Sequence, residues 1–203
     1  ILTHIRHSEK VFIMKRLFII LILTFSFQTL TKADDITEFE IEGMSIGGSL
    51  LDFMSKKEIK ENYIDYGGVR KFYATNYNKN LSKFDKIEVW LKTNDKKFTI
   101  YSINAGIYTS ELNECIKKRD LIVESVRSLF LNIKYDEGQK RHDAYKDSKQ
   151  YISQFAFDSS DDNVRVECII FGKDTKKKYG FEDYLSVAAQ SDESVKWIIG
   201  GHK

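Results

Sequence analysis

LNECIKKRDLIVESVRSLFLNI, residues 112–133, carries apolar side chains at 112, 115, 116, 122, 123, 126, 129, 130 and 133. That is the spacing of one helical face, interrupted only by Arg119. It predicts a long helix from about Ser110 to Ile133, capped by Ser110 or Thr109, with Cys115 on its apolar side. The other cysteine lies in Val164-Arg165-Val166-Glu167-Cys168-Ile169-Ile170. There Val164, Val166, Cys168 and Ile170 share one strand parity, and Arg165 and Glu167 take the other. A helix and a strand thus aim one thiol each into the same layer, which predicts a Cys115–Cys168 disulfide. Two buried free thiols are the alternative. A redox pair would sit closer in sequence, as in C-x-x-C.

Working outward, Tyr151 to Phe157 and Val164 to Phe171 read as a hairpin turning through Asp158 to Asn163. A last strand near Tyr184 to Ala189 precedes a short helix from about Asp192 to Ile199 capped by Ser191. Lys134 to Gln150 reads as a polar connection, and the run Lys176-Lys177-Lys178 as solvated loop. Upstream, Ile87, Val89 and Leu91 alternate with Glu88, Trp90 and Lys92. A turn at Asn94-Asp95 and a returning strand from Phe98 to Ile107 complete another hairpin. Ser49 is an N-cap for a short helix, and Ser55-Lys56-Lys57-Glu58 has the capping-box pattern of a helix reaching about Asn62. Asp34 to Glu42 alternates apolar and acidic residues, as an opening strand would. The fold class expected is α+β: an antiparallel sheet or sheets packed by helices on one face, with a duplicated helix-plus-hairpin plan.

Met14-Lys15-Arg16 is followed by eleven apolar-rich residues, Leu17 to Phe27, and by Thr31-Lys32-Ala33. A basic start, a short apolar core and a small-x-small site describe a secretory signal peptide spanning Met14 to Ala33, with Asp34 as the mature N-terminus. The run is well short of the roughly 20 residues that a spanning helix needs. Residues 1–13 read as an upstream extension from a start site placed too early, and 34–203 as a single α+β domain. The expected location is periplasmic or secreted, with no stable membrane anchor after cleavage. Losing residues 1–33 removes five basic residues and one acid, turning the formal charge of +2 into −2. A near-neutral mature chain gives no charge argument for nucleic acid.

His142, in Lys140-Arg141-His142-Asp143-Ala144-Tyr145-Lys146-Asp147, is the one position where a general base could be oriented by a neighbouring acid, Asp143 or Asp147. Asp158, Asp161, Asp162 and Asn163 gather oxygen ligands at a hairpin tip, but their spacing departs from the calcium-loop pattern. Gly47-Gly48 and Gly67-Gly68 lack the Lys-Ser/Thr ending of a phosphate loop. No cofactor is implied. Trp90 shares the parity of Glu88 and Lys92, so it either faces solvent or lies under a covering element. The aromatics Tyr63, Tyr66, Phe72, Tyr73 and Tyr77 either line a groove or fill the core.

The segment Phe39 to Leu51, the strand Lys86-Ile87-Glu88-Val89, the Cys115 helix and the Cys168 strand together resemble small exported bacterial proteins of unassigned function. Gly43-Met44-Ser45 leading into a short helix also resembles the opening of the small outer-membrane-assembly lipoprotein fold, which implies two helices before a three-stranded sheet. The lipid-accepting Cys of that family is absent near Ala33. Together these readings lead to an exported, non-catalytic chain that binds a protein or envelope component through a sheet face or hairpin edge. The alternatives are an envelope hydrolase using His142 with neighbouring carboxylates, and a small-ligand carrier with an apolar cavity of several hundred Å³.

Overall fold

The computed structural model describes residues 35–66, 71–130, 133–157 and 160–199. Met14–Ala33, the stretch expected to be a signal peptide, residues 1–13, Gly67-Gly68 and Asp158 lie outside them. Among the described residues, four α-helices, α1 (Lys56–Glu61), α2 (Leu112–Leu129), α3 (Lys173–Tyr179) and α4 (Asp192–Ile199), accompany eight strands. The strands are β1 (Tyr63–Ile64), β2 (Phe72–Tyr77), β3 (Lys86–Lys92), β4 (Ile100–Tyr108), β5 (Ile133–Arg141), β6 (Lys149–Phe157), β7 (Asn163–Ile170) and β8 (Tyr184–Gln190). All pair antiparallel in one sheet of order β1-β2-β3-β4-β8-β7-β6-β5. The α+β class expected from the sequence is therefore the observed one.

Register follows from side-chain parity. Tyr77, Ile87, Ala105, Val187 and Val166 form one row across five strands, and Val89, Ile103, Ala189, Val164 and Phe155 the next. This face is buried, because a sheet whose apolar residues share one parity must cover them. Ile59 of α1 and Cys115, Val123 and Val126 of α2 pack into the same core. Residues 35–54 add Ile36, Ile41, Met44, Ile46 and Leu50 to it. The opposite face carries Glu88, Asn104, Ser186, Glu167 and Arg165. At one end of it Trp197 of α4 lies against Phe72 and Trp90, with ring centroids 5.3 and 5.6 Å apart. The expectation of helices on a single face fits α1 and α2 and not α4. Of the two readings of Trp90, the covered one is observed.

Local chemistry explains the ends. Ser49 accepts from the Leu51 N–H, and Ser55 and Glu58 form the full capping box at α1. The Lys79 ammonium, together with the Ser55 N–H and hydroxyl, lowers the Glu58 carboxyl to about 2. The expected opening strand is instead a 3-10 turn at Ile36–Glu38, capped by Asp35, followed by a tight turn bridging Ile41 to Met44. Glu42 and Gly43 occupy the turn with φ of 50° and 79°. The alternation there buries side chains one by one without joining a ladder. α2 stops at Leu129, earlier than Ile133, because Phe130 turns extended and leads into β5. β5 replaces half of the expected polar connection. As an edge strand exposed over most of its length, it has no buried parity to betray it.

Cys115 and Cys168 are joined, with Cα atoms 5.9 Å apart, and the bond clips α2 to β7 across 53 residues of chain. A loop of that length contributes about 4 kcal/mol in the chain-entropy account. Intact-mass measurement of the unreduced protein should show two hydrogens fewer than the dithiol. The C115A/C168A variant should unfold at lower urea with a loss of about 4 kcal/mol, and an unchanged midpoint would contradict the assignment.

Candidate functional site

His142 follows directly on β5, in the connection to β6. Its backbone N–H donates to the Ser148 carbonyl at 3.0 Å. Its Nδ1 accepts from the N–H groups of Ala144 (3.2 Å) and Tyr145 (3.4 Å), so the ring holds a turn. Burial pushes the imidazole below its ordinary value, against the pull of Glu167 and Asp143. The neutral ring then carries its hydrogen on Nε2. Asp143 is occupied by Lys140 at 2.8 Å, which lowers its carboxyl. Asp147 accepts from the Thr175 hydroxyl and from the N–H groups of Asp174 and Thr175. It caps α3 from a distant part of the chain, and those bonds hold its carboxyl below the ordinary value. Gly172 is needed beside it, because a Cβ there would come within 2.0 Å of the carboxylate. The three residues expected to act together are neighbours in sequence with separate structural tasks.

The acids at the β6–β7 tip are likewise engaged. Asp161 pairs with Lys196 at 3.5 Å, and Asp162 accepts from the Ser160 hydroxyl and from the first N–H of α4. Asn163 is buried and donates to the Asp161 carbonyl. Among the described residues no group of three or more His, Cys, Asp or Glu side chains is placed to hold a metal ion. Nor is any helix among them long and apolar enough to cross a membrane.

A further concavity lies elsewhere. A groove of about 630 Å³ runs between α1, the edge strand β1 and the β3–β4 turn. Ile59, Tyr63, Tyr73 and Phe98 supply its apolar surface, and Lys56, Lys60 and Lys96 stand exposed around it. Tyr63 and Tyr73 contact each other with centroids 5.7 Å apart, and the Lys56 ammonium lies 5.9 Å from the Phe98 ring. Of the 63–77 aromatics, Tyr77 enters the core and Phe72 is buried under α4 on the opposite face, while Tyr63 stays half exposed and Tyr73 forms the groove wall.

Phe98 is presented by unusual backbone. Its φ is +53°, and that of Asn94 is +67°, conformations that are costly for a bulky residue. Four hydrogen bonds over-determine the turn. Asp95 accepts from the N–H groups of Lys97 and Thr99, both at 2.9 Å. The Ser49 hydroxyl donates to the Lys97 carbonyl, and the Phe98 carbonyl accepts from the Leu50 N–H. Burial raises the Asp95 carboxyl, but those two N–H groups outweigh it and the net position is below the ordinary value. Among the described residues, Asp95 is the one acid lining the groove and spends its oxygens on backbone, while Lys56, Lys60 and Lys96 form no ion pair. Sequence reasoning did not find Lys56, Lys60, Lys96 or Phe98, since nothing local shows that a helix and a distant turn share a groove.

No family model, no curated protein and no solved structure matches the chain.

Asp147→Ala should lower the urea midpoint near pH 7, and Asp143→Ala, removing only an exposed pair, should not. The Asp147 carboxyl is depressed in the folded state, so its contribution is present above the ordinary carboxylate value. It is lost as pH falls through the folded value. The difference between wild type and Asp147→Ala should shrink below about pH 4. A difference that persists to pH 2 would separate Asp147 from α3.

Proposed function

We propose that the chain is an exported, non-catalytic single-domain binding protein that takes an acidic, aromatic-rich segment of a partner protein in the groove between α1 and the β3–β4 turn. The observation that carries this reading is the pairing of an apolar floor with three exposed lysines, none of them in an ion pair among the described residues, in a cavity of about 630 Å³. An apolar concavity with a few convergent polar groups is the ordinary form of a binding site. β1 is the outermost strand beside it, so an extended segment would also meet backbone with no further strand paired to it. The hydrolase alternative has less support, since both acids near His142 are held by other groups.

Export is part of the same proposal, through Met14–Ala33 acting as a cleaved signal and giving a periplasmic or secreted chain. The Cys115–Cys168 bond supports it, because disulfides persist in oxidising compartments. So does the likeness to small exported bacterial proteins. We read the sheet as a duplicated plan. α1 precedes the β1–β4 meander and α2 the β5–β8 meander, each helix serves the same buried face, and the halves meet at β4 and β8.

Selection from a displayed random peptide library against the oxidised mature protein should enrich sequences with aromatic residues flanked by Asp or Glu. Binding of a resynthesised peptide should weaken about tenfold or more in Lys60→Glu/Lys96→Glu. Enrichment of basic peptides, or indifference to the charge reversal, would refute the groove assignment. Sodium dodecanoate displacing the peptide and binding more tightly would replace the protein partner with an anionic amphiphile. N-terminal sequencing of the exported protein should begin at Asp34.

A further inference from the structure

A second cavity, of about 300 Å³, lies at the other end of β3, about 20 Å along the strand from the β3–β4 turn. Tyr108, Tyr145, Phe171 and Phe181 form its aromatic walls, with Tyr184 beside them. The rings brace one another: Tyr145 and Phe171 lie 5.3 and 5.0 Å from Phe181 by centroid. Into this cavity runs Lys86, the first residue of β3. Its stem lies across Gly106, where a Cβ would come within 2.5 Å of the lysine side chain. Its Nζ stands 3.8 Å above the Tyr184 ring and 5.2 Å from the Tyr108 ring.

Ring faces attract a cation but accept none of its hydrogen bonds as a carboxylate would. Among the described residues, the ammonium of Lys86 is held by rings and not by an acid. Other lysines on the same sheet face are treated differently: Lys92 has Glu193 at 2.7 Å. Burial pushes the Lys86 amine below the ordinary lysine value, and Glu88 and Glu182 only partly oppose this. A desolvated ammonium with unspent donors gains most from an anion brought in with its own apolar body, which would occupy the cavity. His142 lines the same cavity, and its neutral ring adds an N–H donor. Glu182, exposed at the cavity, is the one acid lining it among the described residues and opposes an anion.

We infer that this cavity is a binding site for a small carboxylate carrying one flat ring, with the carboxylate on Lys86 and the ring among Tyr108, Tyr145 and Phe181. It shares no lining residue with the α1 groove, so the two assignments stand or fall separately.

The probes are benzoate, benzyl alcohol and inorganic phosphate, titrated separately into the isotope-labelled, oxidised protein and followed by amide and aromatic NMR. Benzoate should shift resonances of Lys86, Tyr108 and Phe181 saturably. Benzyl alcohol, which keeps the ring and loses the charge, should bind about tenfold more weakly, as should benzoate to Lys86→Met. Glu182→Gln changes only an exposed side chain and should tighten benzoate about two- to threefold, which keeps the test open if Lys86→Met folds poorly. Equal binding of benzoate and benzyl alcohol would overturn the carboxylate, and phosphate binding as tightly as benzoate would overturn the ring. No saturable shift at these residues would overturn the site.

Discussion

The antiparallel pairing of β4 with β8 is the constraint on which the molecule rests. It runs from Ser102↔Gln190 to Tyr108↔Tyr184, joining residues about eighty positions apart, and it makes one sheet of two four-stranded meanders. Every other strand contact is a hairpin or a short crossover that could form within one half. Closing so long a loop costs entropy that local contacts do not repay. The seam must therefore be apolar on the buried side, and it is: Ile103, Ala105, Leu185, Val187 and Ala189 are all essentially inaccessible. Small side chains at Ala105 and Ala189 let the helical layer approach, and the flanking Val and Ile residues fill the space between rows.

With the seam fixed, the division of labour between the faces follows. One face must be covered along its full width, which requires α1, α2 and residues 35–54 together, since no single element is long enough. The disulfide reinforces the largest of these covers at β7, one strand from the seam, so it resists the separation of α2 from the second meander. The other face needs no complete cover. It is polar through the middle, where Glu167 is buried with Arg165 at 2.8 Å and accepts from Gln150 at 2.9 Å. A buried carboxylate so supplied with partners is tolerable, and one without them would not be. Aromatic residues gather at the two ends of this face, under α4 and around Lys86.

What could be read from the sequence was whatever a residue's neighbours in the chain determine. The capping box at Ser55 and Glu58, the alternation of β3, the Cys168 strand, the turn before β7 and the α4 boundaries are of that kind. So is the apolar stripe of α2, which also placed Cys115. β5 was not legible, because its side chains are mostly solvated on both parities and edge position is a property of the sheet. β2 was hidden by aromatics on both faces, Phe72 under Trp197 and Tyr77 in the core. α3 was hidden because its lysines face water and its N-terminus is capped by Asp147, 26 residues before it. The same distance effect hides the contacts of Asp147: its nearness to His142 in sequence suggests a dyad, whereas its oxygens accept from α3 and the His142 ring accepts from its own turn.

Both cavities arise where local preference is overruled by something distant. At the α1 groove, Phe98 is kept at positive φ by Asp95, Ser49 and Leu50, and the outcome is a bulky ring turned toward a helix it has no sequence relation to. At the other cavity, Lys86 begins a strand whose neighbour must be Gly106, because any side chain there would displace the lysine stem from the rings. The Phe98 ring also packs against the core, while Lys86 opens β3 on the parity of Glu88, away from it. Positive φ at a bulky residue and a partly desolvated ammonium are each held in place by several independent contacts, the condition under which such costs persist in a fold. The two cavities differ in what they offer. The groove is bordered by three exposed lysines over an apolar floor. The second cavity is smaller, about 300 Å³, with one partly buried ammonium held between aromatic rings.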